Sequence, residues 1–145
     1  LRPYNSDKIQ VVKGYYDYKG EPSVQEKALI FYQDTYLQNS GIVYGSAESF
    51  DVLSILDGTV IDVREDDFLG KIVEVKHSND MMSIYQSLSE VTVKKNDVIK
   101  QGDIIGKSGK SSISSEMNEN LYFELFYKGS NVNPDEYYDK KVEEL

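Results

Sequence analysis

Between residues 52 and 127, short runs rich in β-branched and aromatic residues recur, each closed by turn-forming residues, and this pattern constrains the fold more than any other feature. The runs fall at 52–56, 59–63, 71–76, 82–87 and 90–93. Such residues suit a pleated, half-buried surface, and Gly, Asn, Asp and Ser close strands with tight turns. Asp57-Gly58 predicts a hairpin between the first two runs, residues 66–70 separate the next pair, and Ser78-Asn79-Asp80 follows His77. Residues 98–109 place a turn at Gln101-Gly102-Asp103 between two apolar pairs. Residues 121–127 alternate, with Leu121, Phe123, Leu125 and Tyr127 to one side and Tyr122, Glu124 and Phe126 to the other. Closely spaced strands with polar turns predict an all-β, mainly antiparallel sandwich or barrel.

Upstream, residues 8–18 carry Ile9, Val11, Val12, Tyr15, Tyr16 and Tyr18 and read as a strand, as do residues 28–37. A charged connection, 19–27, joins them. Residues 133–145 are acidic, with a short helix expected after Pro134, and no internal repeat stands out. With 145 residues the chain suits one core. Residues 1–40 read as an N-terminal extension packing on the domain, 41–134 as the domain itself and 135–145 as an acidic tail.

Composition narrows the chemistry. Lys plus Arg number 16 against 25 Asp plus Glu, a formal charge of -9 that repels phosphate backbones, so no nucleic acid is expected as a partner. The absence of cysteine removes thiol nucleophiles, disulfides and Cys-ligated metals. A single histidine, His77, leaves little for imidazole-based zinc sites or acid–base catalysis. No apolar run approaches the roughly 18 residues of a membrane span. The chain opens at Leu1 with neither Met nor a signal peptide, as expected of a piece of a longer protein.

Read in order, several segments resemble the LytM, or M23, family of zinc endopeptidases that cut peptide cross-links in bacterial cell walls. They are Gly41-Ile42, Leu56-Asp57-Gly58-Thr59-Val60, Gly70 through Ile72, Val73 and Val75 to His77, and Ile84-Tyr85-Gln86-Ser87-Leu88. The frame continues through Val98, Gly102, Asp103, Ile105, Gly106 and Gly109 to Asn120-Leu121-Tyr122-Phe123-Glu124 and on to Pro134. The resemblance implies a β-sandwich with a hybrid barrel motif and a small N-terminal β extension. In active members an H-x-x-x-D motif and the second His of H-x-H hold zinc. The first His of H-x-H and a His in Y-x-H-L assist catalysis. Carried over, the metal positions fall on Asn39, Val43 and Tyr122, and the catalytic positions on Ser87 and Asn120, so all five are changed. Valine has no donor atom, asparagine offers a neutral carbonyl, and tyrosine must lose a proton of pKa near 10. The implication is a domain that is no zinc peptidase and carries no cofactor.

Residues 84–93 and 105–110, with the upstream segments 11–17 and 28–41, narrow the resemblance to a sporulation branch of the family. It implies a domain in the space between forespore and mother-cell membranes, anchored in the forespore outer membrane by an N-terminal helix outside this chain. The implied partner is the extracytoplasmic domain of stage III sporulation protein AH, engaged during engulfment and in a channel between the two cells, with a higher-order ring as a further implied assembly. The partner contact falls either on a strand edge that accepts a partner strand or on the loop 108–118, where Ser108, Lys110, Ser112, Ile113, Glu116 and Asn118 are the candidates, and the sequence does not choose between the two. The alternative is a degenerate LytM domain that binds peptidoglycan or activates a cell-wall amidase.

Plainer readings stand beside these. A lone imidazole at His77 lacks partners for a site and is expected to be structural or solvent-facing. Glu124 with Asp80 or Glu74 as a glycosidase pair competes with a charged β surface. Gly102, Gly106 and Gly109 are turn glycines, since no strand–loop–helix context makes them a phosphate cradle. Residues 80–82 offer no lysine at a hairpin tip, which removes the biotinyl or lipoyl carrier reading. Tyr15, Tyr16, Tyr32 and Tyr36 either pack one sheet face or present a binding surface.

Overall fold

The computed structural model describes residues 2–4, 9–13, 29–32, 35–38, 41–66, 69–78, 80–109, 119–134 and 137. Twelve strands are described: β1 (Gln10–Lys13), β2 (Leu29–Tyr32), β3 (Thr35–Gln38), β4 (Ile42–Ser46), β5 (Asp51–Leu53), β6 (Gly58–Asp66), β7 (Gly70–His77), β8 (Met81–Val91), β9 (Val98–Ile99), β10 (Ile104–Ser108), β11 (Glu119–Tyr127) and β12 (Ser130–Val132). The main sheet runs β1-β4-β11-β8-β7-β6-β9, with β12 beside β11 and β10 bridging β8 and β5, while β2 and β3 form a separate pair. Every described pairing is antiparallel, as the sequence predicts.

The core lies on one face of this sheet, against β5, β9 and β10. Leu121, Phe123 and Leu125 of β11 are wholly buried and meet Tyr44, Tyr85, Val73 and Ile105 in one apolar cluster. The expected alternation on β11 therefore holds, with Tyr127 at the rim beside Tyr137 at 5.9 Å. Tyr85 and Phe123, cross-strand partners on this face, pack at 5.1 Å in a tilted arrangement.

Four expectations change. The run at 28–37 is two antiparallel strands, β2 and β3, with Ile30 opposite Leu37, because the chain reverses where no Gly or Asn-Gly signal marks a turn. The run at 82–87 and the start of the run at 90–93 are one strand, β8, ending at Val91, because Ser87 (φ 69°) takes the left-handed conformation and the register shifts past it instead of breaking. No hairpin forms at Asp57-Gly58, since β5 pairs with β10 and β6 with β7 and β9. Residues 54–57 instead cross between layers. Ser54 N–H donates to Asp103 O (2.9 Å), Ile55 N–H to the Tyr85 hydroxyl (3.1 Å), and Asp57 Oδ1 accepts Gln101 N–H (2.7 Å).

The fourth change is an internal repeat, Lys94-Lys95-Asn96-Asp97-Val98-Ile99 followed by Lys100-Gln101-Gly102-Asp103-Ile104-Ile105. Both halves fold alike. Lys94 and Lys100 N–H donate to the Asp97 and Asp103 carboxylates (2.8 and 2.9 Å), whose own N–H groups donate back to the lysine carbonyls (3.0 Å each). Asn96 (φ 78°) and Gly102 (φ 88°) supply the left-handed residue, Val98 and Ile104 are exposed, and Ile99 and Ile105 are buried. Asn and Gly replace one another where positive φ is needed, which hides the repeat at the level of identity. The expected helix after Pro134 falls almost wholly outside the described residues, as do Tyr15 and Tyr16, and the side chains of Tyr32 and Tyr36.

Two glycines serve different ends. A Cβ on Gly102 would force an L-residue into the left-handed region, whereas a Cβ on Gly106 would sit 2.3 Å from Glu90 O across the β10–β8 contact. Gly102→Ala is expected to cost about 1–2 kcal/mol. Gly106→Ala should cost more, about 2–3 kcal/mol, because backbone must move. Urea unfolding of the two variants checks the order.

Candidate functional site

The face of the sheet opposite the core carries the positions that the family resemblance singles out. Register sets them in cross-strand rows. Val43 of β4, Tyr122 of β11 and Gln86 of β8 are direct neighbours, with Asn120 two residues from Tyr122 on the same face. The next row is Glu74, Ile84 and Glu124, and the one beyond it Lys76, Met82 and Phe126. Asn39 lies outside the described residues.

The described positions on this face do not fit zinc. Val43 is fully buried and has no donor, and Tyr122 and Asn120 are closed to solvent at 6% and 1% exposure. Ser87 is buried in the β8 bulge, its N–H donating to Leu69 O at 2.6 Å. Among the described residues no group of three His, Asp or Glu side chains could hold a metal ion. The nearby carboxylates are engaged locally: Glu124 accepts from Gln86 Nε2 (2.6 Å), and Glu74 pairs with Arg64 (2.6 Å), which also holds Asp62 (2.7 Å). Glu74 and Glu124 flank Ile84 from strands on either side, and Asp80 lies at the β7–β8 tip, so the three make a charged surface and no joint acid–base pair.

Ser108 is buried, its hydroxyl accepting Phe50 N–H (2.9 Å) and donating to Glu119 Oε1 (3.1 Å). It anchors the base of the segment expected to touch a partner. Lys110, Ser112, Ile113, Glu116 and Asn118 lie outside the described residues.

His77 belongs to the core. Its Nδ1 lies 2.8 Å from Asp57 O, which can only accept, so the proton sits on Nδ1. Burial lowers its pKa, against an opposing pull from the Asp57 carbonyl, and keeps the ring neutral. Nε2 then accepts from Ser83 Oγ (2.7 Å), which leaves the Tyr85 hydroxyl as donor across its 2.9 Å contact with Ser83. Tyr85 in turn accepts Ile55 N–H, and burial raises its own pKa. This Ser–His contact resembles a nucleophile and its base, but Ser83 and Tyr85 have no exposed surface, so no substrate reaches it. The chain of hydrogen bonds pins the β7–β8 hairpin to the crossing at 54–57. Sequence reading found the histidine but not its partners, because Ser83 and Tyr85 look like ordinary strand residues.

Residues 37–134 match the model of peptidase family M23, and the chain belongs to that family. The particular likeness is to stage II sporulation protein Q of Bacillus subtilis (strain 168), 37% identical over 143 residues that cover 97% of this chain and 50% of that protein. This chain thus spans half of that relative's length. A chain of the SpoIIQ-SpoIIIAH pore forming complex superposes with a TM-score of 0.92 at 37% identity, covering 98% of this chain and 92% of that one. The catalytic domain of the prophage-encoded M23 protein EnpA from Enterococcus faecalis shares the fold, at a TM-score of 0.69 and 24% identity over 94% of this chain and 96% of that one.

The relay predicts a pH dependence. The lowered native pKa of His77 means that the unfolded chain, with its ordinary value of 6.5, takes up the proton first. Stability is complete above about pH 6.5 and is lost as pH falls toward the lowered native value. Urea midpoints should drop between about pH 7.5 and about pH 5.5, and His77→Gln should flatten that drop. Ser83→Ala, leaving buried nitrogen unsatisfied, should cost about 1–3 kcal/mol at neutral pH.

Proposed function

We propose that this chain is a catalytically inactive LytM domain of a sporulation protein. It docks to the extracytoplasmic domain of stage III sporulation protein AH, across the space between forespore and mother-cell membranes. The observation that carries this reading is the 37% identity, over nearly the whole chain, to a chain of the SpoIIQ-SpoIIIAH complex. Residues 41–134 are the docking module, 1–40 an extension packed on it and 135–145 an acidic tail. The whole protein is anchored in the forespore outer membrane and contributes to engulfment and to a channel between the cells.

Inactivity follows from donor chemistry. A hydrolytic zinc needs anionic or imidazole ligands and an open position for water. Val43, Tyr122 and Asn120 supply none of these in a neutral, closed environment. What such a face retains is shape and a ladder-bonded backbone, which suffices for recognition. The net charge of -9 would add association rate and register against a more basic partner.

Gel filtration with light scattering should give a stoichiometric complex with the extracytoplasmic domain of stage III sporulation protein AH. Lys110→Glu and Ile113→Ala should each weaken it by about 1–2 kcal/mol, leaving the unfolding midpoint unchanged. No complex well above micromolar concentration, with sedimentation on purified sacculi or stimulation of a cell-wall amidase, would instead support the peptidoglycan-linked alternative. Stoichiometric zinc in protein purified without chelator, together with cleavage of cross-linked peptidoglycan, would overturn inactivity.

A further inference from the structure

At the end of the outer face away from Val43, a groove of about 790 Å³ opens between the β7–β8 and β11–β12 hairpin tips. Its floor is a cross-strand row: Met82 pairs with Phe126 on one side and Lys76 on the other, so all three side chains stand on the same face. Lys128 and Asp80 form the rim, and the two tips are tied by Lys128 N–H donating to Asp80 O (2.9 Å). Lys76, Asp80 and Lys128 are exposed, while Met82 and Phe126 are half-buried. No ion pair engages Lys76 or Lys128 among the described residues, and the Lys128 ammonium rests 5.3 Å from the Tyr127 ring centroid. Two lysines against one aspartate give this groove a positive balance on a chain whose net charge is -9. None of its lining residues takes part in the buried relay or coincides with a carried-over metal or catalytic position.

We propose that this groove docks an acidic peptide segment carrying an apolar side chain. The apolar side chain lies on Met82 and Phe126, and its flanking carboxylates meet Lys76 and Lys128. The charge of the rim selects acidic over basic segments. Methionine and aromatic surface accepts aliphatic side chains without demanding one shape. The occupant is a peptide because Lys76 and Phe126 stand one strand to either side of Met82, with Lys128 at the rim, a spacing that seats an apolar side chain with carboxylates on its chain neighbours. The proposal does not depend on the identity of the partner proposed above.

Methionine offers a direct probe, since the chain has three, Met81, Met82 and Met117, and two of them line the groove. With methyl-labelled methionine, titration of acetyl-Glu-Leu-Glu-amide should shift the Met82 methyl signal saturably. Acetyl-Lys-Leu-Lys-amide should shift Met82 at least fivefold more weakly. Lys76→Glu with Lys128→Glu should abolish the response to the acidic peptide. Asp80→Asn, which keeps a residue that tolerates the left-handed conformation at φ 61°, should tighten binding about twofold or more. Unchanged unfolding midpoints would show that these variants fold. A Met82 signal that does not move at millimolar peptide, or moves equally with either peptide, or is untouched by the lysine substitutions, would overturn the proposal. So would a response to decanoate, below its micelle concentration, stronger than that to the acidic peptide, because the occupant would then be an anionic amphiphile.

Discussion

Strand β11 is hydrogen-bonded along both edges, to β4 on one side and β8 on the other, and its alternation divides the molecule. Leu121, Phe123 and Leu125 close the core, while Asn120, Tyr122, Glu124 and Phe126 define the outer face. A slip of one residue would exchange the two sets, so burial of the first fixes the position of the second. The row that meets Val43, the acidic row at Ile84 and the lysine-rimmed groove are all consequences of that register.

The same constraint separates the stability of the fold from the donor chemistry of the outer face. The core face of β11 needs only apolar bulk, and it is complete without a metal. The outer face carries no share of that cluster, so donor atoms there can be exchanged for Val43 or Tyr122 while β4, β11 and β8 keep their pairing. Tying of the layers falls to other groups: the His77 relay on one side and the second lysine–aspartate turn on the other meet at residues 54–57, while the first turn bonds to Val60.

The strands from β6 to β11 were legible because their apolar runs and turns obey local rules. The Ser87 bulge and the crossing at 54–57 were not, because each depends on distant partners. Ser87 adopts positive φ where β8 leaves β11 and takes up β10, and Asp57-Gly58 has every local mark of a hairpin that long-range pairing overrides. On the outer face, Val43, Asn120 and Tyr122 were singled out only by the family resemblance. The groove was not, since Lys76, Met82 and Phe126 lie on three strands and only register brings them into one row.

The central claim is recognition without metal chemistry. Isothermal titration calorimetry of the extracytoplasmic domain of stage III sporulation protein AH into this chain, with and without a strong chelator, tests it most directly. The account predicts saturable, stoichiometric binding with the same affinity in both buffers. Absence of binding heat, or affinity that collapses with chelator and returns with zinc, would contradict it.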